Sequence, residues 1–204
     1  MPIIGILRNV TLSKIETLSQ HYLNAGFTTL EITMNSKGAT ETITSLNARF
    51  GGQLNIGAGT VCSMEDLDEA LAAGASFIVT PIIDKDIIKK CVANSIPVFP
   101  GAYSPTEIYT AWKLGASMVK VFPAGQLGAA YIKEILAPLN QIKLLPTGGI
   151  TIDNFSDFLK AGAQGLGMGS HLLPKDLIEN DQWEALSNHF LSFVKKYNEF
   201  KDEN

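Results

Sequence analysis

Two ionisable residues stand inside apolar segments of the sequence, and their positions suggest covalent chemistry. Lys120 lies within residues 118–122, and Glu31 lies within residues 30–32. An amine kept away from water loses its proton more easily, and a neutral amine attacks a ketone. The iminium that forms can accept the electrons of a neighbouring carbon–carbon bond, while a buried glutamate shuttles protons. We therefore expect Lys120 and Glu31 to be catalytic.

Two glycine-rich segments follow strand candidates late in the chain. Thr147, Gly148 and Gly149 make up most of the first, and Gly169 and Ser170 end the second. Glycine lets backbone N–H groups approach a phosphate closely, and loops at these positions of (β/α)₈ enzymes often bind phosphate. The segments predict a phosphorylated substrate. Plain turns without a ligand are the alternative.

Polar residues also follow two earlier strand candidates. Arg8 comes after residues 3–7, and Thr60 comes shortly after residues 55–58. A guanidinium fork and a hydroxyl suit the carboxylate of a substrate. An ordinary surface position is the alternative for Arg8.

The elements that must position these residues alternate along the chain. Short β-rich apolar segments are separated by amphipathic segments of helical period. Strands are predicted at residues 3–7, 29–33, 55–58, 77–80, 97–99, 118–122, 144–146 and 165–168. Helices are predicted at residues 12–25, 39–50, 64–73, 85–94, 105–114, 129–136, 154–161 and 183–201. This α/β pattern favours a single (β/α)₈ TIM barrel over residues 1–204, with an open doubly wound sheet as the alternative.

Composition narrows the function classes. A length of 204 residues fits one domain, and a net charge of −4 argues against a nucleic-acid surface. A membrane-spanning helix needs about 20 apolar residues, and no apolar segment of the sequence approaches that length. The N-terminus lacks the features of a signal peptide. We expect a cytoplasmic protein that binds neither nucleic acid nor membrane.

Cysteine and glycine spacing argue against metals and cofactors. Cys62 and Cys91 are isolated, so we expect two reduced core thiols rather than a disulfide or a zinc site. The glycines at residues 165–169 precede a terminal helix, whereas a dinucleotide fingerprint follows a first strand. No metal and no cofactor are expected.

Taken together, the motifs resemble the 2-keto-3-deoxy-6-phosphogluconate and 4-hydroxy-2-oxoglutarate aldolase family, including its 6-phosphogalactonate branch. The resemblance covers nearly the whole chain, and its motifs are specific in combination although each is weak alone. They are LEITMNS (30–36), IGAGTV (56–61), IVTP (78–81), PVFPG (97–101), VKVFPA (119–124), PTGGI (146–150) and GMGS (167–170).

The family resemblance implies a metal-independent class I aldolase on a (β/α)₈ barrel, commonly a homotrimer. Its substrate would be 2-keto-3-deoxy-6-phosphogluconate, cleaved to pyruvate and glyceraldehyde 3-phosphate, and 4-hydroxy-2-oxoglutarate would give pyruvate and glyoxylate. The resemblance assigns the Schiff base to Lys120 and acid–base catalysis to Glu31. Substrate contacts are expected from Thr60, Pro81, Phe122 and Thr147, and phosphate contacts from Gly148, Gly149, Gly169 and Ser170.

One position departs from many phosphogluconate-type members. They carry an arginine four residues after the glutamate, where this chain has Asn35, and members of the phosphogalactonate type share that asparagine. We expect Asn35 to contact the substrate and Arg8 to supply the missing charge. PTGGI is closer to the phosphogluconate type, so we favour that substrate and keep the phosphogalactonate as the alternative.

Simpler interpretations of the buried pair stay open. Lys120 fits a lysine whose ammonium reaches solvent from a strand end, and Glu31 with Lys120 fits a fixed ion pair. A second enzymatic alternative is a sugar-phosphate isomerase or epimerase in which Glu31 abstracts a proton. The non-enzymatic alternative is a barrel that binds phosphorylated metabolites without converting them.

Overall fold

Strands and helices alternate throughout residues 1–203, which are the residues that the computed structural model describes. Asn204, the last residue of the predicted domain 1–204, lies outside the described residues. The strands are β1 (Ile3–Leu7), β2 (Thr29–Thr33), β3 (Asn55–Gly59), β4 (Ile78–Val79), β5 (Val98–Phe99), β6 (Gly101–Ala102), β7 (Val119–Val121), β8 (Leu144–Pro146) and β9 (Leu166–Met168). The helices are α1 (Leu12–Asn24), α2 (Ala39–Phe50), α3 (Met64–Ala72), α4 (Lys85–Ala93), α5 (Pro105–Lys113), α6 (Ala124–Leu136), α7 (Phe155–Lys160), α8 (Lys175–Glu179) and α9 (Trp183–Asp202).

Local sequence explains where several helices begin and end. Ser104 and Glu107 form a capping box at the start of α5, and Pro105 occupies its first turn, where no N–H partner is needed. Left-handed glycines follow the ends of α1, α3, α5 and α7, where a side chain would be strained. These glycines are Gly26, Gly74, Gly115 and Gly162.

All strands pair in parallel, which confirms the α/β fold. Regular pairing gives a six-stranded sheet in the order β5-β4-β3-β2-β1-β9 and a three-stranded sheet in the order β6-β7-β8. Only Pro100 separates β5 from β6, and an isolated bridge between Thr147 and Gly167 joins β8 to β9. Residues 1–203 contain nine strands instead of the predicted eight, because β6 follows the strand expected at residues 97–99 after an interruption at Pro100, which has no N–H for the ladder.

Apolar side chains fill both faces of the strands. The larger cluster of buried side chains lies between strands and helices and extends from Ile3 to Phe193. A smaller cluster contains Ile4, Phe77, Val79, Phe99 and Leu145, with Met118 packed against it. We call the strand face that carries the smaller cluster the interior face. Side chains alternate along a strand, so Lys120 shares this face with Met118.

Three further details differ from the sequence predictions, the first being that α6 begins at Ala124 and not at residue 129. Helix α8 was not predicted, and Cys62 is exposed although it was expected in the core, whereas Cys91 is buried as expected. Cys62 follows the end of β3, where the chain has already left the packed layers. Within residues 1–203, no helix has the length and apolar character needed to cross a membrane.

Candidate active site

Lys120 and Glu31 both lie deep between the strands. Lys120 is in the middle of β7 with 6% of its surface exposed, and Glu31 is in the middle of β2 with 2% exposed. The strands fix their heights, since Lys120 pairs with Gly101 and Leu145, and Glu31 pairs with Ile6. The sequence prediction that both side chains are buried is confirmed.

A glycine makes room for the Glu31 carboxylate. Gly59, at the end of the neighbouring strand β3, has no side chain, and a methyl group there would overlap Glu31 Oε1 and Cδ. Gly57, which also lies on β3, likewise leaves space for the ring of Phe77. The small residues of the GAG segment therefore shape the space beside the carboxylate.

Burial shifts the acid–base properties of the two groups in opposite directions. It lowers the pKa of Lys120 and raises the pKa of Glu31, because the charged form of each group is poorly solvated. The mutual attraction of the two charges opposes both shifts but is the smaller effect. Arg8 lowers both pKa values. Burial thus favours the uncharged form of each group, and the attraction between their charges offsets this only in part.

A fixed ion pair between the two side chains is not what the geometry contains. Among residues 1–203, Glu31 Oε1 is buried without a hydrogen-bond partner, and no salt bridge joins Glu31 to Lys120. A buried polar atom without a protein partner is costly and often interacts with a ligand or an ordered water molecule. Glu31 therefore keeps one carboxyl oxygen available for a ligand.

Phe122 forms one wall beside the amine. The centroid of its ring lies 5.2 Å from Lys120 Nζ, and the side chain is 42% exposed despite its apolar character. The ring also lies close to Gly148. Pro81 is on the other side of β6, because its carbonyl packs directly against Gly101, the strand partner of Lys120. Phe122 therefore lies beside the amine, and Pro81 lies against the strand partner of Lys120.

Two side chains hold Arg8 at the carboxyl ends of the strands, which we call the mouth of the site. Its Nη1 donates to Asn35 Oδ1 at 2.7 Å, and its Nη2 donates to Thr60 Oγ1 at 3.2 Å. Thr60 adopts φ +56°, an uncommon conformation for a β-branched residue. Such strained residues cluster at functional sites. Arg8, Asn35 and Thr60 thus come together from the ends of three neighbouring strands.

The loop after β8 exposes backbone donors. Gly148 and Gly149 have φ of +85° and +73°, and Gly149 lies so close to Gly125 that a side chain on Gly125 would overlap it. Among the described residues, no backbone carbonyl accepts from the N–H of Gly148 or Gly149. Thr147 is buried, and its hydroxyl donates to the Leu145 carbonyl at 3.1 Å.

The loop after β9 borders a cavity of about 350 Å³. Gly169 and Ser170 line one side of it, and Arg8 and Asn9 line the other. Lys175, on the unpredicted helix α8, also lines this cavity. Because Thr147 bridges to Gly167, the two glycine-rich loops are neighbours at the same edge of the strands.

Sequence reasoning missed two residues near the site. Lys175 was part of a segment without assigned structure, and Cys62 was placed in the core. Cys62 is close enough to Lys120 for each group to influence the pKa of the other. Its position two residues after Thr60 was the available signal, whereas Lys175 had none.

Comparison with known proteins gives one consistent family. The family model described as KDPG and KHG aldolase matches residues 1–189. The chain is 34% identical to the 2-dehydro-3-deoxy-6-phosphogalactonate aldolase of Escherichia coli K12, covering 98% of this chain and 96% of that protein. It is 32% identical to the 2-dehydro-3-deoxy-phosphogluconate aldolase of Treponema pallidum, covering 94% of each.

A solved structure with a trapped intermediate is also similar. The KDPG aldolase of Legionella pneumophila, with pyruvate captured as a covalent carbinolamine, has a TM-score of 0.87 and 27% sequence identity. The similarity covers 94% of this chain and 93% of that one.

The opposing charges of the buried pair lead to a prediction about Glu31→Gln. Removing the carboxylate removes the attraction that raises the pKa of Lys120, so this pKa should fall further below its usual value. Titration of the lysine ¹³Cε resonances by NMR measures the change. Glu134→Gln, on the exposed surface of α6, serves as the control and should leave Lys120 unchanged. A Lys120 pKa that rises in Glu31→Gln would contradict the electrostatic description.

Proposed function

Because the chain belongs to the KDPG and KHG aldolase family, we propose that it is a class I aldolase that cleaves 2-keto-3-deoxy-6-phosphogluconate. The products are pyruvate and glyceraldehyde 3-phosphate. It also accepts 4-hydroxy-2-oxoglutarate, which gives pyruvate and glyoxylate. The observation that carries this proposal is the buried Lys120 amine, whose lowered pKa makes it a nucleophile without a metal or cofactor.

The reaction begins with attack of the neutral Lys120 amine on the C2 ketone of the substrate. The carbinolamine takes up a proton on its hydroxyl and loses water, which leaves an iminium. Glu31, whose pKa is raised by burial, is the proton donor for this step. Its unpartnered oxygen provides the acid–base group where the ligand would lie.

Cleavage then uses the iminium as an electron acceptor. The Glu31 carboxylate takes the proton of the C4 hydroxyl, the C3–C4 bond breaks, and its electron pair enters the iminium to form an enamine. The aldehyde leaves, and Glu31 gives its proton to C3 of the enamine, which regenerates the iminium and the Glu31 carboxylate. Addition of water to the iminium releases pyruvate and restores the Lys120 amine.

Residues at the mouth bind the pyruvyl part of the substrate. Arg8 pairs with the carboxylate, and Asn35 and Thr60 contact the substrate while they hold the guanidinium. Pro81 and Phe122 exclude water on the two sides of β6 and β7. The ring of Phe122 beside the amine and the contact of Pro81 with Gly101 support these assignments.

Backbone donors at the other end hold the phosphate. Gly148 and Gly149 contribute N–H groups from one loop, and Gly169 and Ser170 contribute theirs from the next. The two loops are neighbours, and their glycines carry no side chains that would block a phosphate, which supports this assignment. Thr147 lies between the phosphate and the pyruvyl ends and contacts the carbon chain of the substrate.

The phosphogalactonate epimer is the second candidate substrate, and one contact favours it. Asn35 accepts a hydrogen bond from Arg8, and members of the phosphogalactonate branch also combine these two residues. The similar Escherichia coli protein is named as a phosphogalactonate aldolase. The PTGGI segment with Thr147 favours the phosphogluconate, and the Treponema pallidum relative carries the corresponding name. We retain the phosphogluconate as the main substrate.

The two sheets form one closed (β/α)₈ barrel, and residues 1–204 act as one domain. Continuity across Pro100 and the bridge from Thr147 to Gly167 support closure of the ring. The enzyme works in the cytoplasm as a homotrimer, without nucleic-acid or membrane partners. Exposed apolar side chains of Ile82, Tyr103 and Phe122 near the mouth support association between copies.

Lys120→Met tests the aldolase proposal. Without the amine no iminium forms, so pyruvate release from the phosphogluconate should fall by more than about a thousandfold. An assay coupled to lactate dehydrogenase measures it. Thermal unfolding should be unchanged, because methionine fills the same apolar space. Lys113→Met, on exposed α5, should retain full activity. Retained turnover in Lys120→Met would refute the assignment and favour an isomerase or a binding protein.

Gly59→Ala tests the placement of Glu31. The new methyl group displaces the carboxylate, so turnover should fall by about 10- to 100-fold. The free energy of unfolding should fall by about 1–3 kcal/mol, because the new methyl group also overlaps Cγ of the buried Glu31 side chain. In a Glu31→Gln background the same change should have little further effect. Independent, additive losses would contradict the role of Gly59.

Side-by-side assays test the substrate choice. We expect kcat/KM for the phosphogluconate to exceed that for the phosphogalactonate epimer by about tenfold, the effect of one hydroxyl hydrogen bond. Both substrates should release pyruvate in the coupled assay. The reverse order would make the phosphogalactonate the main substrate while leaving the aldolase assignment intact.

A further inference from the structure

The charged side chains that line the cavity beside Ser170 are cationic. It measures about 350 Å³, and Arg8 and Lys175 are the charged residues that line it. Among the described residues no acidic side chain lines it. A space with two cations and exposed backbone at Gly169 and Ser170 attracts an anion.

The two cations are not equivalent. Arg8 uses Nη1 and Nη2 to donate to Asn35 and Thr60, which directs its fork toward the end of the site where Lys120 lies. Backbone N–H groups carry only partial charges, so a phosphate dianion on the Ser170 side gains a full positive charge only from Lys175.

Lys175 is also free to move. Its ammonium lies 3.3 Å from the Glu179 carboxylate, four residues on, and both side chains are more than half exposed. Exposed pairs of this kind are weak, so the lysine can exchange Glu179 for a more strongly charged partner. Nearby Lys14 differs, because its ammonium donates to the Glu179 carbonyl at 2.6 Å and pairs with Asp181 at 3.0 Å.

From this arrangement we infer that Lys175 binds the phosphate of the substrate and determines the preference for phosphorylated over unphosphorylated 2-keto acids. The inference rests on the proposed aldolase function. The Lys175 ammonium leaves Glu179, enters the cavity, and forms a charge-assisted hydrogen bond to the phosphate next to Ser170. The bond is made equally in the ground state and the transition state, since it is remote from the bond that breaks.

Lys175→Met tests this role kinetically. KM for the phosphogluconate should rise about tenfold with kcat nearly unchanged, because uniform binding is lost. Cleavage of unphosphorylated 4-hydroxy-2-oxoglutarate should be unaffected, and so should deuterium exchange into the methyl group of pyruvate, which reports the enamine. Lys195→Met is the matched control, since Lys195 also pairs with a glutamate four residues on, in helix α9. An equal KM in Lys175→Met, Lys195→Met and the unchanged enzyme would overturn the inference while leaving the aldolase proposal standing.

Binding of inorganic phosphate gives a second test that does not depend on catalysis. Phosphate should raise the Tm of the unchanged protein and of Lys195→Met, and this shift should be largely lost in Lys175→Met. Glu179→Gln frees the lysine and should retain or enlarge the shift. Identical phosphate shifts with and without Lys175 would overturn the inference even if the protein released no pyruvate from any substrate.

Discussion

Exclusion of water from Lys120 is the constraint on which the site depends. A lysine exposed to solvent is almost entirely protonated at neutral pH and cannot attack a ketone. The strands around β7 remove that solvent, and Glu31 on β2 restores only part of the lost stabilisation because no direct ion pair forms. Burial acts on both groups in the same sense, toward the uncharged form. A nucleophile and a proton donor are therefore produced by one feature of the fold.

The mouth of the site balances this apolar interior with a fixed positive charge. Arg8 is oriented by Asn35 and Thr60, and it also favours loss of the proton from Lys120 through its own charge. The left-handed backbone of Thr60 costs on the order of 1–3 kcal/mol. The buried apolar cluster between strands and helices stabilises the fold enough to retain that conformation. Strain at Thr60 thus keeps a hydroxyl aimed at the guanidinium.

Much of the site was predictable from the sequence because strand periodicity is simple. Alternation placed Glu31 and Lys120 on the buried face, and the glycine loops after β8 and β9 were recognised from composition. Strand β6 was missed because it is only two residues long and follows directly after Pro100. Lys175 was missed for a different reason. Its approach to Ser170 depends on how α8 packs against α1 and α9, and no local pattern records that packing.

Covalent capture of pyruvate is the most direct measurement of whether Lys120 forms an iminium with a 2-keto acid. The protein is incubated with saturating pyruvate and sodium borohydride, digested, and mapped by mass spectrometry. We expect one reduced pyruvyl group per chain, on the peptide that contains Lys120. An unmodified Lys120, or an adduct confined to another lysine, would contradict it.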